Sequence, residues 1–171
     1  MITFRLATPE DAELLSQTRQ KVWDATYRGI YSDEKIDNYD FARLIARDKA
    51  RIANPDNTYY LVMDGKLCAG YFYYGPEQNG RQYKDFQLCL NSLYFLPAYQ
   101  GMGLGSRVFA HMRQVCRERG LHKFFCTCNI HNKKAQGFYE KMGGIVGRVD
   151  GNHADKADDQ MYFEFTIGDT I

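Results

Sequence analysis

The stretch LYFLPAYQGMGLGS, Leu93 to Ser106, reads as an apolar strand end that stops at Pro97 and enters a helix through three alternating glycines. Gly101, Gly103 and Gly105 carry no Cβ, so successive backbone N–H groups can line one concavity at a helix N-terminus, where the helix dipole also favours negative charge. Such a seat has the size of a pyrophosphate. Leu104, Val108, Met112 and Val115 follow at helical spacing, with Arg107, Arg113, Arg117 and Arg119 outside and Gly120 placed to stop the helix. Strand, glycine turn and amphipathic helix therefore stand in direct succession.

The 171 residues fit one domain, 1–171, long enough to bury a core, and no linker, repeat or low-complexity tract divides them. Lys plus Arg (22) nearly balances Asp plus Glu (21), which leaves no broad basic field for a nucleic-acid backbone. The five cysteines show no disulfide framework, and the start MITFRLATPEDAE lacks the design of a signal peptide. A cytoplasmic protein with reduced thiols is expected. No apolar run approaches the roughly 20 residues of a membrane span.

Outward from the central stretch, Ile2 to Leu6 reads as a strand, and Thr8-Pro9-Glu10-Asp11 as the start of a helix running toward Thr26 with Ala12, Leu15, Val22 and Trp23 inward. A second helix starts at Ser32 and carries Ile36, Tyr39, Leu44 and Ile45. Thr58 to Met63 and Lys66 to Tyr74 are strands joined at Asp64-Gly65, a two-residue hairpin signal. Gly75 to Lys84 has turn chemistry throughout and is expected as an exposed hairpin loop before a strand over Phe86 to Phe95. His122 to Asn129 is a strand, Lys133 to Met142 a helix, and Ile145 to Asp150 and Gln160 to Ile167 the last strands. Between those two, residues 151–159 are expected as a solvated polar loop.

Gln100-Gly101-Met102-Gly103-Leu104-Gly105 resembles the Gln/Arg-x-x-Gly-x-Gly/Ala signature of the GCN5-related N-acetyltransferases, the GNAT family. Leu93 to Pro97 resembles its L-x-V-x-P run, and Asn132 to Tyr139 its second motif, Asn-x-x-Ala-x-x-Phe-Tyr. The two motifs stand in the family's order, joined by one helix and one strand. The resemblance implies an α/β (α+β) GNAT fold: a mixed, mostly antiparallel seven-stranded sheet with helices on both faces, in the order β-α-α-β-β-β-α-β-α-β-β. It implies acetyl-CoA as cosubstrate and no metal. The pantetheine arm would pair with the backbone of Leu93, Tyr94 and Phe95. The amides of Gly101, Met102, Gly103, Leu104, Gly105 and Ser106 would take the pyrophosphate, with Gln100 reaching the same anion. Asn132 would reach the cofactor arm or an ordered water, and Tyr139 would be the general acid beside the CoA sulfur.

Acetyl transfer from a thioester to an amine needs a neutral amine, a polarised carbonyl and a leaving thiolate that can be neutralised. A phenol of pKa ~10 gives its proton reluctantly to a thiolate of ~8.5, a gap of about 2 kcal/mol before the site perturbs either. Many relatives carry a glutamate shortly before the leucine of the L-x-V run; this chain has Asn91 and Ser92, neither of which is a base at neutral pH. Proton removal through water, or by Asp24, Tyr27 or Glu34, stays open. Trp23 to Ile30 resembles the substrate-side helix turn of many small-molecule acetyltransferases, which makes Tyr27 and Arg28 substrate candidates and, equally, a helix-end packing cluster.

Cys126-x-Cys128 with His131 lacks the fourth ligand of a structural zinc site and reads as small buried cysteines. A phosphate-loop nucleotide hydrolase fails because no Gly-Lys-Ser/Thr follows the glycines. The reading is an N-acetyltransferase acting on a primary amine of a small molecule in a ternary complex. A protein N-terminus or lysine is the alternative acceptor, and a non-catalytic acyl-CoA-binding module the alternative class. A homodimer is a family-level expectation.

Overall fold

The computed structural model describes residues 1–78, 80 and 82–168. Its strands are β1 (Ile2–Leu6), β2 (Thr58–Asp64), β3 (Leu67–Gly75), β4 (Cys89–Phe95), β5 (Lys123–Asn129), β6 (Ile145–Asp150) and β7 (Gln160–Thr166). Its helices are α1 (Ala12–Tyr27), α2 (Asp33–Asp37), α3 (Phe41–Ala53), α4 (Leu104–Glu118) and α5 (Lys133–Lys141). The sheet order is β1-β2-β3-β4-β5-β7-β6. β4 and β5 run parallel and the other described ladders are antiparallel, the mixed sheet the sequence implies.

The chain forms two compact units, one of residues 1–75 with 92–102 and one of residues 76–91 with 103 onward. In the first, β1, β2 and β3 form a meander. Its two-residue turn is Gly65-Lys66, one position later than Asp64-Gly65, because Asp64 still pairs with Leu67 and Gly65 takes φ +57°. α1 turns Ala12, Leu15 and Val22 inward, as its periodicity predicts, and Trp23 is partly buried.

The second predicted helix is two. α2 ends at Asp37, and Asp40 recaps the chain by accepting the Arg43 amide at 3.0 Å. Between them the Tyr39 hydroxyl donates to the Ser16 carbonyl at 3.0 Å, a tertiary bond that a continuous helix would forfeit. α3 then supplies Asp48, fully buried and ion-paired with Arg19 of α1. The Arg19 Nε also donates to the Tyr71 hydroxyl at 3.3 Å.

In the second unit, α4 ends at Glu118, and Gly120 just beyond its cap takes φ +65°, the stop its sequence predicts. Phe109 of α4 meets Phe124 of β5 at 5.7 Å, Phe138 of α5 at 5.5 Å and Phe165 of β7 at 4.9 Å, which makes the core of this unit largely aromatic. The loop after β3 departs from expectation. Positions 79 and 81 lie outside the described residues, but Tyr83 is buried, packs on Phe86, Phe125 and Tyr162, and donates to Glu164 at 2.6 Å. The turn residues of this loop flank an aromatic anchor that belongs to the core. β4 itself starts at Cys89, three residues later than predicted.

Residues 151–159 also carry a buried group. Asp159, only 6% exposed, accepts the His153 amide at 2.9 Å, His153 Nδ1 at 3.0 Å and His131 Nε2 at 2.9 Å. These bonds, the His153 amide first, pull its carboxyl down to about 2. The expected solvated loop is therefore pinned at its end by one carboxylate.

Candidate active site

The first unit brings together Leu93, Tyr94, Phe95, Gln100, Gly101 and Met102 with Tyr27 and Arg28. The end of β4 is anchored on β3 by the Leu96 amide, which donates to the Ala69 carbonyl at 2.8 Å. At Gly70 of β3 any Cβ would overlap the Tyr94 carbonyl oxygen, so that glycine is what lets β4 lie so close. Leu93, Tyr94 and Phe95 are half-buried. Pro97–Tyr99 forms one 3-10 turn, held by Tyr99 Oη donating to Asp64 Oδ2 at 3.0 Å. Gln100 folds back and donates from Nε2 to the Phe95 carbonyl at 3.1 Å. Its carboxamide braces the turn, and the second Nε2 hydrogen is the one it could offer an anion.

Gly101 and Gly103 take φ +77° and +76°, left-handed geometry that disfavours a side chain although open space surrounds both. Met102 between them is exposed. In the second unit Gly103 is the N-cap of α4 and, being glycine, has no side chain with which to cap it. The Arg107 amide donates to the Gly103 carbonyl at 3.2 Å, the helical bond of the N-cap residue. Helix geometry thus leaves the amides of Leu104, Gly105 and Ser106 without intrahelical acceptors, at the positive end of the dipole. Leu104 is buried and Ser106 exposed. Gly105 differs from the other two glycines: a Cβ there would lie 2.5 Å from the Phe138 ring, so it admits a core aromatic and not a ligand.

Asn132 and Tyr139 lie in the same unit. Asn132 is the N-cap of α5, its Oδ1 accepting the Ala135 amide at 3.1 Å, which gives the Asn-x-x-Ala pattern a local structural cause. Tyr139 is 7% exposed, with its ring 6.0 Å from Phe109 and 5.5 Å from Phe163. Its hydroxyl is hydrogen-bonded with the Cys126 thiol, which burial raises well above its ordinary range. The phenol so placed has a proton to give to a developing thiolate, provided it leaves the cysteine.

In the first unit the Tyr27 and Tyr94 hydroxyls stand 2.6 Å apart, and Tyr27 stacks on Tyr31 at 4.3 Å with Trp23 against both rings. Burial raises the Tyr94 phenol above its ordinary value and pushes Tyr71 up to about 12, so both stay protonated at neutral pH. The Trp23 indole N–H is buried with no hydrogen-bond partner. Arg28 pairs with Asp37 at 2.9 Å, Asp33 at 3.2 Å and Asp24, three carboxylates around one guanidinium, which leaves that corner net negative. Asp24, one of the candidate bases, is committed to Arg28. Asn91 is committed elsewhere: its carboxamide bonds the Pro76 carbonyl and the Gln78 amide of the loop after β3.

Sequence reasoning missed the Tyr27–Tyr94 hydroxyl pair and the His131–Asp159–His153 cluster. The first joins residues 67 apart and the second residues up to 28 apart, and no local pattern announces either. Among the described residues no group of three or more His, Cys, Asp or Glu could hold a metal ion. No described helix is long and apolar enough to cross a membrane.

A seven-stranded mixed sheet with a glycine-capped α4 after β4 defines a class, and sequence comparison agrees with it. The profile of the acetyltransferase (GNAT) family matches residues 19–144, and the chain belongs to that family of N-acetyltransferases. It is 24% identical over 158 residues, 88% of its length and 92% of the other, to the spermidine N(1)-acetyltransferase of Thermoplasma acidophilum. It is 26% identical over 81 residues to a Bacillus subtilis protein provisionally named as a ribosomal protein bS18-alanine N-acetyltransferase, a match covering 47% of this chain and 54% of that relative. In fold it is similar to the crystal structure of the PaiA N-acetyltransferase of Thermoplasma acidophilum in complex with coenzyme A. The TM-score is 0.76 at 21% identity, covering 97% of this chain and 99% of that one.

Proposed function

We propose that residues 1–171 form a single N-acetyltransferase domain that uses acetyl-CoA to acetylate a primary amine of a small molecule by direct attack in a ternary complex. The observation that carries this reading is the amino end of α4, where a left-handed Gly103 with no side chain of its own to cap the helix leaves first-turn amides for an anion. Gly101, Met102, Gly103, Leu104 and Ser106 would hold the pyrophosphate by their backbone, and the Leu93–Phe95 backbone would pair with the pantetheine arm. Gly105 joins them through its amide alone. Asn132 sets the start of α5 and so the position of Tyr139, which would protonate the leaving sulfur. The cosubstrate supplies an acetyl group activated as a thioester.

A cationic small acceptor is favoured by the net negative corner around Arg28 and by the spermidine-acetylating relative, which aligns over most of both chains. Five free, buried cysteines are consistent with a reducing compartment such as the cytoplasm.

The test is thiol release from acetyl-CoA with spermidine, aminoglycosides, amino acids and an alanine-first peptide, on wild type and Tyr139→Phe, with acetyl-CoA affinity measured by calorimetry. We expect turnover of a small amine and a fall of 10²-fold or more in kcat for Tyr139→Phe at unchanged affinity, the order that general acid catalysis contributes. Turnover of the peptide alone moves the acceptor to a protein N-terminus. Binding without any turnover leaves an acyl-CoA-binding module, and no binding overturns the reading of the glycine turn.

A further inference from the structure

An alkyl ammonium must lose a proton before its nitrogen can attack a thioester, and β4 itself offers no group to take it. Asn91 shows where one comes from. Its Nδ2 donates to the Pro76 carbonyl at 2.8 Å and its Oδ1 accepts the Gln78 amide at 3.0 Å. The two bonds bracket a single residue, Glu77, and fix its backbone against the middle of the strand. A third bond, from the Gly80 amide to the Glu77 carbonyl at 3.0 Å, closes the turn around it. Glu77 is half-buried. Its charge is felt on β4, where the Cys89 thiol is raised first by burial and then by the Glu77 carboxylate. Carboxamide, bracketed turn and carboxylate all lie within residues 76–91 of one compact unit.

We infer that Glu77 is the base that takes the acceptor's proton, and that Asn91 is the positioning residue that delivers it to β4. This rests on the acetyltransferase reading above. The amine arrives as R–NH3⁺ and gives one proton to the Glu77 carboxylate, directly or through one water. The neutral nitrogen then forms the C–N bond to the acetyl carbon as the C–S bond breaks. The sulfur leaves with the Tyr139 proton, the surplus proton on nitrogen returns to Tyr139, and Glu77 releases its own to solvent. The products are the acetamide, CoA–SH and one proton, so the step balances without a further reactant.

The experiment uses the full chain with acetyl-CoA and spermidine, the alanine-first peptide being the second acceptor. Glu77→Gln is expected to lower kcat/KM near pH 7 by about 100-fold, the low end of what a positioned base supplies, with acetyl-CoA affinity within twofold of wild type. The deficit should shrink as pH rises toward the ammonium pKa, because an amine already neutral needs no base. Glu77→Asp should recover part of the rate. In the absence of any ligand, Asn91→Ala should lose hydrogen-exchange protection at the Gln78 amide, and its rate should fall with that loss. Proton release supplies a readout apart from turnover: the proton that spermidine gives up reaches solvent through Glu77, so spermidine binding to the CoA-loaded enzyme, measured in buffers of different ionisation enthalpy, should release protons in wild type and none in Glu77→Gln. A wild type active on either acceptor whose Glu77→Gln variant keeps the rate, pH profile and proton linkage overturns this inference and leaves the acetyltransferase reading standing. A wild type that binds acetyl-CoA and acetylates none of the amines and peptides tested above overturns both.

Discussion

Arg19 and Asp48, with side chains 5% and 0% exposed, are the sharpest electrostatic commitment in the first unit. Each has lost its hydration, and each is held by the other, with Tyr71 and Arg47 as further partners at 3.3 Å. Removing one member of such a pair strands the other's charge in a medium that solvates it poorly. Asp48→Asn should therefore lower stability by about 3–5 kcal/mol in a urea titration, the range for breaking a buried pair. The apolar double replacement Arg19→Met/Asp48→Leu should cost less than Asp48→Asn alone, since it strands no fully buried charge: Arg47 is more exposed and can turn toward water, and only the neutral Tyr71 hydroxyl loses a partner. Additive losses in that cycle would show that the pair is not coupled.

At the scale of elements, the start of α4 separates two uses of glycine that look alike in sequence. Gly103 is required by its backbone, at φ +76° with nothing near its missing Cβ, whereas Gly105 is required by the Phe138 ring 2.5 Å from where that Cβ would be. Gly103→Ala should cost about 1 kcal/mol of stability and weaken acetyl-CoA binding, because the first-turn amides re-aim. Gly105→Ala should cost about 1–3 kcal/mol through overpacking and disturb α5 with a smaller change in affinity. Thermal unfolding and calorimetry on the two variants tell these apart; equal effects on both quantities would contradict the assignment. The comparison also marks what the sequence could carry. Periodicity and turn chemistry placed seven strands, the glycine turn, α4 and α5, because each depends on neighbours within a few positions. The break between α2 and α3 was not legible, since Asn38-Tyr39-Asp40 contains no glycine or proline and the break is stabilised by a bond from Tyr39 to distant Ser16. Tyr83, in a loop rich in turn residues, is expected to be exposed for the same reason: nothing local says that it packs on Phe125 and Tyr162. In the candidate site the glycine turn ahead of α4 was readable from spacing. The tasks of Asn91 and Gln100 were not, because a carboxamide's partners are set by folding.

For the whole molecule, the carboxylates set the response to acid. Asp11 is held low by Arg5, Asp85 by Lys123, and Asp159 by His153 and His131. A carboxyl whose folded value lies below its unfolded one binds fewer protons when folded, so its contribution is fully present above the unfolded value and disappears as pH falls through the folded one. For Asp159 those bounds are the ordinary 3.8 and about 2 in the folded chain, which places the loss between roughly pH 4 and pH 2. Asp159→Asn should lower the melting temperature at pH 7 and give a shallower decline of stability below pH 4, the two curves converging near pH 2. Asp159 anchors both the residues after β6 and the turn that carries Asn132, so the variant should also expose the Ile130 amide, which donates to the Asp159 carbonyl at 3.2 Å, to faster hydrogen exchange. A variant whose acid transition parallels that of wild type throughout would show that the cluster holds the loop in place without contributing to acid stability.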